Sequence, residues 1–298
     1  RSRGLGDVYK RQLSAQVKLL PIFSDNMVLQ QQTQAPIWGE SKPKKKVEIT
    51  TSWDQKKYTI QADAQGKWST KVATPVAGGP YNITISDGKK VKLSNVMIGE
   101  VWICSGQSNM EMQVEGWGKV KNYEQEKEEA NNYPNIRFLL VENAMSPTPV
   151  ENITVKENGW QVCTSKSVAD FSAAGYFFGR DLNKYRNVPI GLIDTSWGGT
   201  IIETWTSNEA LSTIPSMKKR LEALVGLPAS QEGRKKKFEE DVETWKAEVE
   251  RIDKGCVNGE AIWAAPDFND AAWKSMKVPG LMQEQDLPGI SGLVWFRK

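Results

Sequence analysis

The sequence predicts an α/β fold: a mostly parallel sheet with flanking helices, preceded by an antiparallel β-sandwich. Two observations predict it. Between Val47 and Leu93, short segments alternate on a period of two and are separated by turn residues. From Val96 onward the pattern becomes apolar strand, helix, apolar strand, the rhythm of a βαβ unit. Composition agrees. Of 298 residues, 39% are hydrophobic and 25% charged, which suits a globular chain of about two domains.

Taken in order, residues 1–12 have no initiating Met and no apolar signal-peptide core, and read as a non-native or disordered tail. Residues 13–95 are the expected β-sandwich, with Leu20–Trp38 supplying its first strands. Val47, Ile49, Thr51 and Trp53 face one way, as do Tyr58, Ile60 and Ala62. Tyr81, Ile83 and Ile85 continue the pattern, and Val91 with Leu93 ends it. Asp54-Gln55, Gln65-Gly66, Gly78-Gly79-Pro80 and Asp87-Gly88 are turns. Residues 96–214 open the parallel-sheet domain. Val96–Cys104 is a nearly continuous apolar strand, Asp170–Tyr185 a helix, and Pro189–Asp194 a second buried strand.

Residues 215–258 are a helical connection. In it Phe238, Val242, Trp245, Val249 and Ile252 form one apolar stripe, expected to be a packing face. From Ala261 the texture is β-like again, with Trp263, Trp273, Met276 and Val278, and Leu293–Lys298 reads as a strand. Residues 259–298 are therefore expected to begin a further β domain.

Charge and cysteine usage exclude several classes. A net charge of +3 is too mild to imply nucleic acid. Lys42, Lys44, Lys45 and Lys46 read as solvated surface, as do Arg234–Lys237. No apolar run approaches the ~18 residues of a membrane helix, so no membrane span is expected. Cys104, Cys163 and Cys256 fit no metal or disulfide spacing and read as small buried residues. The sharpest fact is that the chain holds no histidine. Neither a Ser–His–Asp triad nor a histidine zinc site can be completed within it.

A serine nucleophile needs exposure, a base for its proton and donors for the developing oxyanion. Ser108 follows a strand, and Gly106 permits a tight turn before it. Its own N–H can serve as one oxyanion donor. The Gly198-Gly199 turn, at the end of the other strand, can bring a second N–H close. On the residues alone, an acyl-transfer site and two simple turns fit equally well. Gly106–Met110 is not G-x-S-x-G, so the α/β-hydrolase elbow is not matched. Ser216-Met217-Lys218-Lys219 fits S-x-x-K, but no S-D-N or K-T-G accompanies it, and it reads as a chance match.

The run from Val101 to Glu111, VWICSGQSNME, resembles the first sequence block of the sialate O-acetylesterases, a branch of the SGNH hydrolases. Gly191–Thr200 with Ile202–Ser207 is similar to their second block. Phe23–Gln30 and Ile37-Trp38-Gly39 resemble the β domain that precedes these blocks. Ala272-Trp273-Lys274 through Pro279-Gly280 to Val294–Lys298 resembles the jelly-roll-like β-sandwich inserted in many bacterial members. The match covers nearly everything after residue 18.

The resemblance implies an SGNH-hydrolase-like sheet with Ser108 as nucleophile and the N–H groups of Ser108 and Gly199 as the oxyanion hole. Gln107 and Asn109 would flank and orient Ser108. Trp197, Glu203 and Trp205 would shape the sugar side of the pocket, with buried packing as the equal alternative. Asp194 would be structural, because the family takes its acid and base from a late Asp-x-x-His block. The implied activity is hydrolysis of an O-acetylated sugar, sialic acid first, without metal or organic cofactor. Acetylated xylan is the nearest rival substrate, and a non-catalytic carbohydrate-binding protein the rival class. The family's habit implies a periplasmic or secreted location. Its third oxyanion block and Asp/His block follow the inserted domain, so the chain is expected to stop short of them and to be inactive alone. Oligomeric state is not set by the sequence.

Overall fold

A computed structural model describes residues 17–146, 148–228, 231–285 and 294–297. The expected tail, residues 1–12, lies outside the described residues. The chain divides into two compact units, with the break between Leu221 and Glu222.

In the first unit the period-two segments become strands: β1 (Lys18–Leu19), β2 (Val28–Gln30), β3 (Gln34–Glu40), β4 (Lys46–Thr51), β5 (Lys57–Gln61), β6 (Lys67–Ala73), β7 (Gly78–Ser86) and β8 (Lys90–Cys104). β1, β3 and β6 make a three-stranded antiparallel sheet, while β5, β4, β7 and β8 pair antiparallel in that order. Ile37 and Val72 from the first sheet share one core with Val47, Ile49, Ile83 and Ile85 from the second. Burying each such side chain is worth about 1.5–3 kcal/mol, and the polar alternate residues stay in water.

The expected boundary between residues 95 and 96 falls inside one strand. β8 is a single strand of 15 residues that passes through Asn95 in left-handed backbone, φ 56°. Asn tolerates that conformation better than most side chains, and its Nδ2 donates to Asn26 Oδ1 at 2.7 Å. The front of β8 pairs with β7, and Met97–Gly99 pairs with β2.

Beyond β8 come α1 (Ser108–Glu111), α2 (Tyr123–Ala130), β9 (Ile136–Leu140), β10 (Gln161–Val162), α3 (Ser165–Ala169), α4 (Ala173–Arg186) and β11 (Ile190–Asp194). β11 lies between β8 and β9, parallel to both, and β10 closes that edge antiparallel. The βαβ reading holds, and β9 is an addition to it. The helix expected over Asp170–Tyr185 starts three residues later. Buried Ser172 caps it, its Oγ accepting the Gly175 N–H at 3.0 Å. α4 packs over β9 through Phe138, Phe171 and Tyr176, all fully buried. Phe138 and Phe171 stack at 4.2 Å between centroids.

The strand Val96–Cys104 is less buried than its apolar run implies. Trp102 and Ile103 are 43% and 69% exposed. The reason is topological. β11 covers one side of Glu100–Cys104, whereas the pairings with β2 and β7 reach no further than Gly99 and Ile98. Among the described residues no strand adjoins that side beyond Gly99. Trp102 instead meets Phe178 of α4 edge-on at 5.0 Å.

After β11 a single 3-10 turn, Ile202–Trp205, leads to α5 (Asn208–Ser212) and α6 (Pro215–Val225). In the second unit α7 (Gln231–Ile252) carries the expected stripe, but Phe238, Trp245 and Ile252 are exposed. The packing-face expectation is not met among the described residues. The charged faces behave as expected, with Lys235, Lys236 and Lys237 paired four residues on to Glu239, Glu240 and Asp241. Residues 261–285 and 294–297 contain 3-10 turns and irregular backbone, without a strand; the rest of the expected closing strand lies outside the described residues. An apolar segment becomes a strand only where another strand can pair with it. Here Trp263 instead gathers Phe268, Trp273 and Trp295 around its own ring. No helix among the described residues is long and apolar enough to cross a membrane.

Candidate active site

β8 and β11 are neighbours in register, with Asp194 opposite Cys104, so the loops that follow them leave the sheet side by side. Carboxyl ends of parallel strands are where such sheets build their sites. The two loops are tied together by backbone hydrogen bonds. Thr195 N–H donates to Cys104 O, and Trp197 N–H to Gly106 O, both at 2.9 Å. Gly106 has φ 153°, a conformation that suits glycine and turns the chain into α1. Gln107 stands at the N-cap, and the half-buried Ser108 is the first helical residue. Gln107 Nε2 also donates to Thr200 O, a third tie between the loops.

Gly198 sits against Ser108. A Cβ on Gly198 would lie 3.3 Å from Ser108 Oγ and 2.6 Å from Glu111 Oε2. A side chain at 198 would have to push the Glu111 carboxylate aside and press on Ser108 Oγ. Gly198 N–H donates to Glu111 Oε2 at 2.7 Å, and Asn143 Nδ2 reaches Glu111 Oε1 at 3.4 Å. Gly199 is exposed, with φ 75° and nothing within 4 Å of where its Cβ would stand. Among the described residues its N–H has no hydrogen-bond partner.

Ser108, Gln107 and the Gly198-Gly199 turn are thus brought together. Trp205 is linked to them through Thr200: its Nε1 donates to Thr200 Oγ1 at 2.9 Å, and Thr200 Oγ1 donates to Trp197 O at 2.7 Å. Trp197 is half-buried, while Asn109 is exposed on α1. Glu203 is directed to Arg220, 3.8 Å away.

Two titratable groups lie behind the loops, Asp194 and Cys104. Burial raises the Asp194 carboxyl above the ordinary aspartate value, against the pull of Ser196. Ser196 donates to Asp194 Oδ1 through its hydroxyl at 2.5 Å and its N–H at 2.9 Å. Asp194 thus closes a self-contained turn with Ser196. Burial, reinforced by Asp194, pushes the Cys104 thiol up to about 12, which leaves it protonated and inert at neutral pH. Sequence reasoning missed Glu111 and Asn143. The signal for Glu111 was present: it lies three residues after Ser108, on the same face of a helical turn.

A family model described as carbohydrate esterase, sialic acid-specific acetylesterase, matches residues 98–252. Mus musculus sialate O-acetylesterase is 31% identical over 205 residues, covering 63% of this chain and 37% of the mouse protein. The Rattus norvegicus sialate O-acetylesterase is 26% identical over 302 residues, covering 92% of this chain and 51% of the rat protein. A solved carbohydrate acetylesterase from Xanthomonas citri aligns with TM-score 0.61 and 31% identity, over 66% of this chain and 44% of that one. The chain therefore spans between about two-fifths and half of the curated relatives it matches.

Proposed function

The chain belongs to the sialic acid-specific acetylesterase family of carbohydrate esterases, and from that premise we propose that the protein carrying it hydrolyses acetyl esters on sugars through Ser108. O-acetylated sialic acid is the first-choice substrate, and acetylated xylan the second. The observation that carries the proposal is the approach of the Gly198-Gly199 turn to Ser108 Oγ. It brings the turn that carries the Gly199 N–H beside the Ser108 hydroxyl at one point of the sheet.

In this reading Ser108 Oγ attacks the acetyl carbonyl carbon, and the carbonyl π electrons move onto oxygen. The N–H groups of Ser108 and Gly199 hold that oxyanion. Gly198 N–H is not used, because Glu111 already occupies it. The serine proton passes to an imidazole and from there to the departing sugar oxygen, which leaves as a hydroxyl. Water then attacks the acetyl-serine carbonyl, and acetate leaves as Ser108 recovers its proton. The imidazole is not among these 298 residues, which hold no histidine. We assign it to a segment beyond them, and on this reading the 298 residues alone are inactive. Without a base Ser108 is an ordinary alcohol. Trp197 and Trp205 are assigned to the sugar side of the pocket, where indole faces can stack on a pyranose; Gln107 and Asn109 orient Ser108.

The same reading takes residues 13–95 as an N-terminal β-sandwich, 96–214 as the first part of an SGNH-like esterase domain and 215–258 as a helical connection. Residues 259–298 begin an inserted β-sandwich, and the location is periplasmic or secreted. Acetate release by the complete gene product from acetylated sialosides and acetylated xylo-oligosaccharides tests the function and ranks the two substrates. Glycan binding without acetate release would replace it with a carbohydrate-binding role.

A further inference from the structure

We infer that Glu111 is a positioning residue of this site. Its carboxylate holds Gly198 N–H, sets the glycine turn against Ser108, and leaves the next N–H, that of Gly199, for the substrate oxygen. The inference rests on the acetylesterase reading above for its effect on rate, and on geometry alone for the contact itself.

The hydroxyl and the carboxylate come from the same short helix. Ser108 opens α1 and Glu111 closes it, so both side chains project from one face of a single turn. The glycine turn is fixed at three points. Trp197, before the glycines, is tied to Gly106 O, and Thr200, after them, to Gln107 Nε2. Between those ties Gly198 is held by Glu111 Oε2 at 2.7 Å. An N–H bonded to a carboxylate is about twice as strong as a neutral pair, which suits a peptide that must not rotate. If Gly198 N–H swung free, the Gly198-Gly199 peptide could turn with it, and Gly199 N–H would lose its aim.

Both carboxylate oxygens of Glu111 are engaged. A free negative charge beside Ser108 would oppose the oxyanion. Here one oxygen accepts from Gly198 and the other faces Asn143 Nδ2 at 3.4 Å. What the geometry requires first is an acceptor of this length; the charge strengthens the bond it makes. Glutamine keeps the acceptor, whereas methionine keeps the length and loses it.

The test uses the complete gene product. Glu111→Met is expected to lower kcat by roughly 10- to 100-fold, the cost of misplacing one oxyanion donor by up to an ångström, with KM within about twofold. Glu111→Gln is expected to restore kcat to within about fivefold of wild type. In the wild-type protein the Gly198 amide should exchange with solvent deuterium at least about tenfold more slowly than that of Gly199; in Glu111→Met that difference should vanish. Wild-type kcat in Glu111→Met would overturn the inference, as would glutamine no better than methionine. Equally fast exchange of both amides in the wild type would overturn it without any variant. If the wild-type protein released no acetate, the acetylesterase reading would fail while the exchange data still judged the Glu111 contact.

Discussion

Replacing Gly198 by alanine isolates the feature on which the site depends. The new methyl would stand 2.6 Å from Glu111 Oε2 and 3.3 Å from Ser108 Oγ. An ordinary contact needs about 3.4 Å, so the turn and Glu111 must separate by roughly 0.8 Å. Either the Glu111 bond lengthens past a useful hydrogen bond or the whole turn backs away from Ser108. A displacement near 1 Å at a reacting centre costs about 100-fold, equivalent to about 2.7 kcal/mol in the barrier. Gly199→Ala is the control. Nothing lies within 4 Å of its Cβ position, and its penalty is confined to the left-handed φ, about 1–2 kcal/mol. Steady-state acetate release by the complete gene product should show kcat falling about 100-fold in Gly198→Ala and less in Gly199→Ala. Equal kcat for Gly198→Ala and wild type would refute the reasoning, as would the reverse order.

Three further outcomes follow from the fold and the buried groups. Phe138→Ala removes a fully buried ring stacked at 4.2 Å on Phe171 and should cost about 3–5 kcal/mol in denaturant unfolding; a loss below 1 kcal/mol would contradict the packing of α4 on β9. Asp194 has its folded-state carboxyl raised by burial, so the folded state holds the proton more tightly than the unfolded one. Its contribution to stability is therefore lost as pH rises above the ordinary aspartate range. Asp194→Asn should gain on wild type as pH rises from 4 to 7 in urea titrations, and a gain that shrank would reverse the sign. Burial pushes the thiols of Cys104 and Cys163 up to about 12. Mass spectrometry after thiol labelling of native protein at pH 8 should find Cys256 modified ahead of both; rapid labelling of Cys104 would contradict its burial.

What was legible in the sequence was what repeats. Val47-Ile49-Thr51 and Ile83-Ile85 alternate, so their strands and inward face could be read directly, and the core of the first unit follows. The loops bearing Ser108 and Gly199 were legible because each follows an apolar strand and contains glycine. β9 was missed although Ile136–Leu140 is nearly all apolar and follows Pro134-Asn135. A short run buried on both faces has no period to detect. The continuity of β8 was hidden by Ser94-Asn95, which look like a break and form a left-handed step inside one strand. Exposure of Trp102, Ile103 and the α7 stripe could not be read either. An apolar pattern states that a face seeks a partner, while topology decides whether one is there. Glu111 was within reach of helix spacing, but its acceptor role needed the Gly198 peptide, 87 residues away.

The central claim is that Ser108 is the nucleophile of a sugar acetylesterase. It is tested most directly by incubating the complete gene product and its Ser108→Ala variant with an O-acetylated sialoside and measuring free acetate. The account predicts turnover by the wild type, a transient acetyl group on the Ser108 peptide by mass spectrometry, and loss of at least about 1000-fold in the variant. Undiminished acetate release by Ser108→Ala, or acetylation of a different residue, would contradict it.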